Sequence, residues 1–295
     1  MYTITVFTPT YNRANLLKRG YEALKRQSLK DFEWLIVDDG STDNTREVVN
    51  SWIEANQIPI RYIYKENGGL HTGYNTAIQN INTELCVCID SDDFMPDDAI
   101  EKIVNLWRIK GNDNVAGILG LDFYLDNTPI GGYFPNGIDQ LHIAEMAPKY
   151  HHHGDVKVVH RTELLKKVAP MPVFEGEKNF NPIFMFYKVD IHYPLILLND
   201  NLCFVEYQAD GMTFNIYNQY VNSPKSFSEL RKLVMTHPLM PVSSKFRHAI
   251  HYVSSQIMLR NRNWLKESPK KFLTILAAPF GVFAYFFIKH KATIK

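Results

Sequence analysis

Val37-Asp38-Asp39-Gly40-Ser41-Thr42-Asp43 and Cys88-Ile89-Asp90-Ser91-Asp92-Asp93 each close a run of apolar, strand-forming residues. Carboxylates crowded at strand ends repel one another and raise each other's pKa. A fold keeps them where a cation or a donor-rich ligand offsets the repulsion. Two such clusters in one stretch point to a site for a metal-assisted, phosphate-bearing ligand, and the segments around them predict how the chain brings the clusters together.

Short β-rich runs alternate with amphipathic stretches of helical length, the pattern of βαβ units in a mostly parallel sheet. The first strand is expected at 3–8, ended by Pro9. A helix starting near Asn12-Arg13-Ala14-Asn15 places Leu16, Leu17, Tyr21 and Leu24 on one face. A second strand at 33–37 runs into the first acidic cluster, and Ser41 or Thr42 is expected to cap a helix burying Val48, Val49, Trp52 and Ile53. A third strand at 60–64 leads through Glu66-Asn67-Gly68-Gly69 into a helix containing Tyr74, Ala77 and Ile78. The fourth, at 85–89, is apolar throughout, as a strand covered on both faces should be. Ligands of open α/β sheets bind beyond the carboxyl ends of the strands, so one cleft collects the loops 8–11, 38–43, 65–69 and 90–93. Asp97 and Asp98, behind Pro96, read as acids complementing a helix start.

Composition narrows the function classes. Lys plus Arg (32) nearly balances Asp plus Glu (31), which gives no basic field for nucleic acid. Three cysteines make no disulfide framework, and Cys86 and Cys88 read as small hydrophobes in a reducing compartment. The amino terminus lacks the charged start and long apolar stretch of a signal peptide, so a cytoplasmic location is expected.

The ordered set Phe7-Thr8-Pro9-Thr10-Tyr11-Asn12-Arg13, Val37 to Asp43, Asn67-Gly68-Gly69 and Asp90-Ser91-Asp92-Asp93 resembles family-two glycosyltransferases. The likeness is strong over residues 1–110. It continues more loosely through Glu175-Gly176-Glu177-Lys178 to Tyr207-Gln208-Ala209-Asp210-Gly211-Met212-Thr213. It implies the GT-A type of α/β fold, a Rossmann-like, mostly parallel sheet flanked by helices, here with a helical C-terminal extension. It also implies a nucleotide-sugar donor, most often a UDP-sugar, with Asp39 receiving the base, Thr8, Pro9 and Tyr11 lining the base and ribose pocket, and Arg13 approaching the phosphates. Asn67, Gly68 and Ser91 complete the donor set. Asp90 and Asp92 match the Asp-X-Asp element, with Asp92 the expected direct ligand of Mn²⁺ or Mg²⁺ and Asp90 facing the ribose or the metal's waters. Glu177 matches the usual position of the catalytic base, although Lys178 departs from the commoner second acid, and Glu175 and Asp155 are the reserves. One base and one metal suit a single displacement with inversion.

Other features carry less. His151-His152-His153 lacks the spacing that converges ligands on zinc and is expected in an exposed loop. Tyr187, His192 and Tyr193, in an apolar run, are expected in a helix core. Helices are expected at 226–237 and 243–264. The uncharged run 272–288, about 25 Å as a helix, is framed by Lys270, Lys271, Lys289, His290 and Lys291 and is expected to lie in a membrane interface. The resulting expectation is a catalytic domain at 1–215, divided at 110 into nucleotide and acceptor halves, and a helical region at 216–295 with a membrane-associating segment at 268–291. The protein would be an inverting, metal-dependent glycosyltransferase, peripheral on the cytosolic membrane face. Its acceptor would be a saccharide or lipid-linked saccharide of a surface polysaccharide. A sugar-phosphate nucleotidyltransferase would need a glycine-rich loop after the first strand, and 8–13 has no glycine. A non-catalytic saccharide-binding scaffold would lack Asp90 and Asp92.

Overall fold

The computed structural model describes residues 2–207 and 215–293, so 208–213, the end of the looser family likeness, lies outside the described residues. The chain divides into two compact units, residues 1–170 with 192–207 and residues 171–191 with 208–295. The segment containing Glu177 thus groups with the C-terminal helices rather than with the sheet.

The first unit is built on eight strands: β1 (Ile4–Thr10), β2 (Phe32–Asp38), β3 (Ile60–Tyr64), β4 (Leu85–Cys88), β5 (Gly117–Phe123), β6 (Gln140–Leu141), β7 (Val156–Arg161) and β8 (Leu195–Phe204). They lie in the order β3-β2-β1-β4-β7-β5-β8-β6. The first four are mutually parallel, which confirms that their loops emerge at one edge. Strand β7 enters antiparallel between β4 and β5. Its first residues therefore lie beside the last ones of β5, at the same edge.

Helices α1 (Ala14–Arg26), α2 (Thr45–Ala55), α3 (Leu70–Asn80), α4 (Ala99–Lys110), α5 (Met146–Tyr150) and α6 (Thr162–Val168) fill the connections. Leu17, Tyr21 and Leu24 of α1 bury against β1 and β2 residues such as Ile4, Trp34 and Ile36. Tyr21 and Trp52 stack at 4.4 Å with Trp34 beside them, joining α1, α2 and β2.

Several local expectations change. Pro9 does not end β1; it pairs with Val37 and the strand continues to Thr10. The ladder to β4 has already finished, with Ile89 N–H donating to the Phe7 carbonyl at 3.0 Å. Because backbone groups alternate sides along a strand, the N–H that proline lacks would face that vacated side. Neither Ser41 nor Thr42 caps α2. Asp43 does so from just outside, its Oδ1 accepting the Thr45 N–H at 3.0 Å. Ile53 faces out, 38% exposed, because only Thr45, Val49 and Trp52 of α2 are buried.

The second unit contains α7 (Ile183–Asp190), α8 (Ile216–Asn222), α9 (Pro224–Thr236), α10 (Val242–Met258) and α11 (Lys271–Thr293). Its core joins Met235, Ala249, Tyr252, Val253 and Ala277. Helix α10 ends before the expected Trp264 because Arg260 turns left-handed (φ 53°), and Asn261 N–H closes on the Gln256 carbonyl at 3.0 Å. Tyr187 belongs to α7, whereas His192 follows it and is exposed. Helix α11 passes through Pro279 and has 23 residues, about 35 Å at about 1.5 Å each, longer than its uncharged run suggested.

Candidate active site

Asp39, one residue past β2, is 4% exposed and holds the turn before α3. Its carboxylate accepts the Gly68 and Gly69 N–H groups at 3.0 and 2.7 Å, the Thr72 hydroxyl and the Asn67 amide, each at 3.2 Å, and pairs with Lys65. These donors use the lone pairs of both oxygens. A base that bonds Asp39 must therefore displace a movable donor, Lys65 or Asn67. Gly40 has φ 85°, and a Cβ there would lie 2.8 Å from Asn67 N. Only glycine suits both the left-handed backbone and this approach.

The neighbouring acids are structural. Asp38, fully buried, accepts the Ser41 N–H at 2.7 Å and the Tyr62 hydroxyl. Burial, and then the bond to Asp38, raise the Tyr62 pKa. Asp43 reaches the Ala14 N–H at 3.2 Å, tying α1 to α2. Asn12, at φ 53°, accepts the Thr42 N–H at 2.7 Å and fixes the facing loop.

Thr8, Pro9, Tyr11 and Arg13 flank this turn in different states. The Thr8 hydroxyl is buried, donating to the Ile89 carbonyl at 2.8 Å and accepting Trp34 Nε1–H at 3.0 Å, so its polar group serves the core. Pro9 is buried, and Tyr11 is 48% exposed and open to a ligand. Arg13 reaches across to the second cluster, 3.2 Å from both Ser91 Oγ and Asp92 Oδ2.

Beyond β4 the acids divide. Asp92 is paired with Arg13, while Asp90 reaches solvent and, among the described residues, makes no ion pair. Neighbouring protein nevertheless desolvates Asp90. That desolvation first, and then the Asp92 charge, push its pKa up against the pull of Lys157 and Arg13. Asp93 is buried, with Lys157 Nζ 3.7 Å away, and the same lysine lies 3.6 Å from Asp122. Burial raises Asp93 to about 8 and Asp122 to about 6, opposed in each by Lys157. Burial alone would depress Lys157, but Asp122, Asp93 and Asp90 keep it charged, with its pKa well above the usual value. Asp155 stands just before β7, exposed, and accepts the Tyr207 hydroxyl at 2.5 Å.

All ten expected donor and metal residues, with Asp155, therefore belong to the sheet unit and its carboxyl edge. Glu177 belongs to the other unit. It is 7% exposed, its Oε1 accepting the Lys225 N–H at 2.8 Å and its Oε2 the Ser226 N–H and hydroxyl at 2.8 and 2.6 Å. This carboxylate caps α9, with both of its oxygens engaged by donors of that helix's first turn. Glu175 is exposed two residues earlier. In the histidine tract His151 and His153 are exposed, as expected, whereas His152 is 3% exposed and stacks on Phe134 at 4.4 Å.

Lys65, Tyr62, Asp122 and Lys157 escaped the sequence reading. For the last two a signal existed, since each is a lone charge within an apolar strand run, Ile118 to Phe123 and Val156 to Val159. Among the described residues no group of three or more His, Cys, Asp or Glu side chains converges as a metal site. Two carboxylates on either side of Ser91 still suit a hard cation that completes its shell from water and diphosphate.

The model of "Glycosyl transferase family 2" matches residues 5–168. A chondroitin synthase of Pasteurella multocida is 36% identical over 98 residues, 33% of this chain but 10% of that relative's length. Among solved structures, S. aureus TarS 1-349 in complex with UDP superposes with TM-score 0.64 at 15% identity, covering 98% of this chain and 90% of that one. A mannosyltransferase from Pyrobaculum calidifontis in complex with GDP-Man and Mn²⁺ gives TM-score 0.56 at 16% identity, covering 96% and 87%. These likenesses establish the GT-A fold. With more than half of its length matched, the chain belongs to glycosyl transferase family 2.

Proposed function

We propose that this protein transfers a sugar from a UDP-sugar to a hydroxyl of a saccharide or lipid-linked saccharide, with inversion, in surface polysaccharide synthesis. The observation that carries the reading is the gathering of Asp39, Arg13, Asp90 and Asp92 at one sheet edge. The solved relative holding UDP supports the donor, and the one holding Mn²⁺ supports the cation.

In this reading the base and ribose dock between Tyr11 and the turn held by Asp39, where Lys65 and Asn67 can exchange partners. Arg13 leaves Asp92 for the diphosphate. Asp90 and Asp92 would hold Mn²⁺ or Mg²⁺, whose charge offsets that on the departing nucleotide. The acceptor proton needs a carboxylate with an open lone pair at the same edge. Asp155 has that placement and exposure, so we assign it the base role first expected of Glu177, with Tyr207 orienting it. A protein of this kind would work on the cytosolic membrane face, where nucleotide sugars and lipid-linked acceptors meet.

The test is calorimetric titration of UDP with and without Mn²⁺. Uptake that is stronger with Mn²⁺ and lost in Asp92→Ala is expected; no uptake under either condition refutes the proposal.

A further inference from the structure

Helix α11 packs lengthwise against α10. Its buried residues Thr274, Ala277, Gly281 and Ile288 fall within an arc of about 60° at about 100° per residue. The contact is close: a Cβ on Gly281 would lie 2.5 Å from the Val253 Cβ and 2.9 Å from the Ile250 carbonyl. Phe272 (75% exposed), Leu276, Phe280, Phe283 (73%) and Phe286 (64%) lie on the opposite side, within about 120°. Lys271 and Lys289 fall on one rim of that apolar arc and Lys291 on the other, all exposed.

We infer that α11 docks this face onto an anionic bilayer surface, lying in the interface plane, with the lysines reaching headgroup phosphates from both rims. This rests on the membrane contact proposed above and fixes its geometry. By length and apolarity α11 is the one described helix able to cross a membrane, and its packing argues against that. A spanning α11 would either drag α10 into hydrocarbon or leave it. The first would desolvate the exposed Arg247 and the partly exposed Lys245 and His248. The second would strip the cover from Thr274 and open the close seat of Gly281. Lying flat avoids both costs and buries the phenylalanines about 5–10 Å deep. Lysines along both edges, with no acid from 268 to 293, favour phosphate headgroups over an apolar protein groove.

The experiment is flotation of the full chain with phosphatidylcholine vesicles, with or without phosphatidylglycerol. The wild type should bind the anionic vesicles and come off in high salt or carbonate. Phe280→Glu/Phe283→Glu should lose roughly tenfold or more in partitioning per phenylalanine. The triple lysine variant Lys271→Gln/Lys289→Gln/Lys291→Gln should lose the preference for anionic lipid. UDP uptake, measured in parallel, should be unchanged in all variants, so failure of docking and failure of the donor reading are separable. In Phe283→Trp the new indole should be quenched by bromines near the headgroups rather than at the bilayer centre. Absence of anionic-vesicle binding, resistance to carbonate, deep quenching, or a dimer dissolved by the glutamate variants without vesicle binding would each overturn the inference.

Discussion

Glu177→Gln separates a helix cap from a catalytic base. The carboxylate receives three donors, at 2.8, 2.8 and 2.6 Å, from Lys225 and Ser226 in the first turn of α9. Glutamine retains one acceptor oxygen. Its best placement keeps that oxygen on Ser226 and turns the NH₂ toward the Lys225 N–H, donor against donor. The loss is one charge-assisted hydrogen bond, about 1.5–3 kcal/mol, plus the attraction of the carboxylate to the helix N-terminus, about 0.3–1 kcal/mol. The sum, about 2–4 kcal/mol, should lower Tm by roughly 5–10 °C. Assayed well below that Tm by UDP release, the variant should keep kcat within a few-fold. Asp155→Asn should do the reverse, because Asp155 is exposed and asparagine still accepts the Tyr207 hydroxyl. Its Tm should hold while kcat falls about 10²–10⁴-fold, the usual worth of a general base. A Glu177→Gln protein with unchanged Tm and a hundredfold loss of kcat would refute this assignment and restore Glu177 as the base.

Three further outcomes are expected. Asp92→Asn should weaken Mn²⁺-dependent UDP uptake at least tenfold by calorimetry while changing stability by no more than about 1 kcal/mol, because its partner Arg13 is partly exposed. Asp122 has its folded pKa raised to about 6, so its stabilising protonated form is complete below about 4, the unfolded value, and is lost as pH rises through 6. Denaturant unfolding should therefore show stability falling between pH 4 and 6, and Asp122→Asn should flatten that slope. Gly40→Ala, forced into φ 85° against Asn67, should cost about 1–3 kcal/mol by the same measurement and weaken UDP uptake as the Asp39 turn shifts.

The first half of the sheet was legible because β1, β2 and β4 are interior strands with largely buried side chains and each exit carries its own punctuation. Asp39 and Asp90 to Asp93 could be placed by counting from those strands. The second half was not, because β7 slips antiparallel between β4 and β5, and no local pattern states where a strand will insert. The same limit governs the site. Asp39 meets Lys65 and Asp93 meets Lys157 only after folding, since their partners lie 26 and 64 positions along the chain. Glu177 shows the same limit more sharply. In sequence it is an acid in a glycine-bearing loop, and its role depends on Lys225, 48 residues later. Resemblance supplied the catalytic reading, and the cap on α9 could not be read from local sequence.

The crowding of carboxylates that first marked the chain is largely resolved by its own donors and cations. Asp38 and Asp39 are held by backbone N–H groups, Tyr62 and Lys65, Asp92 is met by Arg13, and Asp93 shares Lys157 with Asp122. Asp90 is the exception, solvent-reachable and raised in pKa by its surroundings, with attraction from Lys157 and Arg13 but no ion pair to either among the described residues. A divalent cation gains most where negative charge is least compensated, which makes Asp90 as strong a ligand candidate as Asp92. The pairing of Asp92 with Arg13 then has a consequence for order. If Asp90 and Asp92 share one ion, as proposed, Arg13 would first have to be drawn off by an anion, and the diphosphate of the proposed donor would do so while completing the ion's shell. On this physical ground, cation and nucleotide should bind as a pair, each weakly without the other.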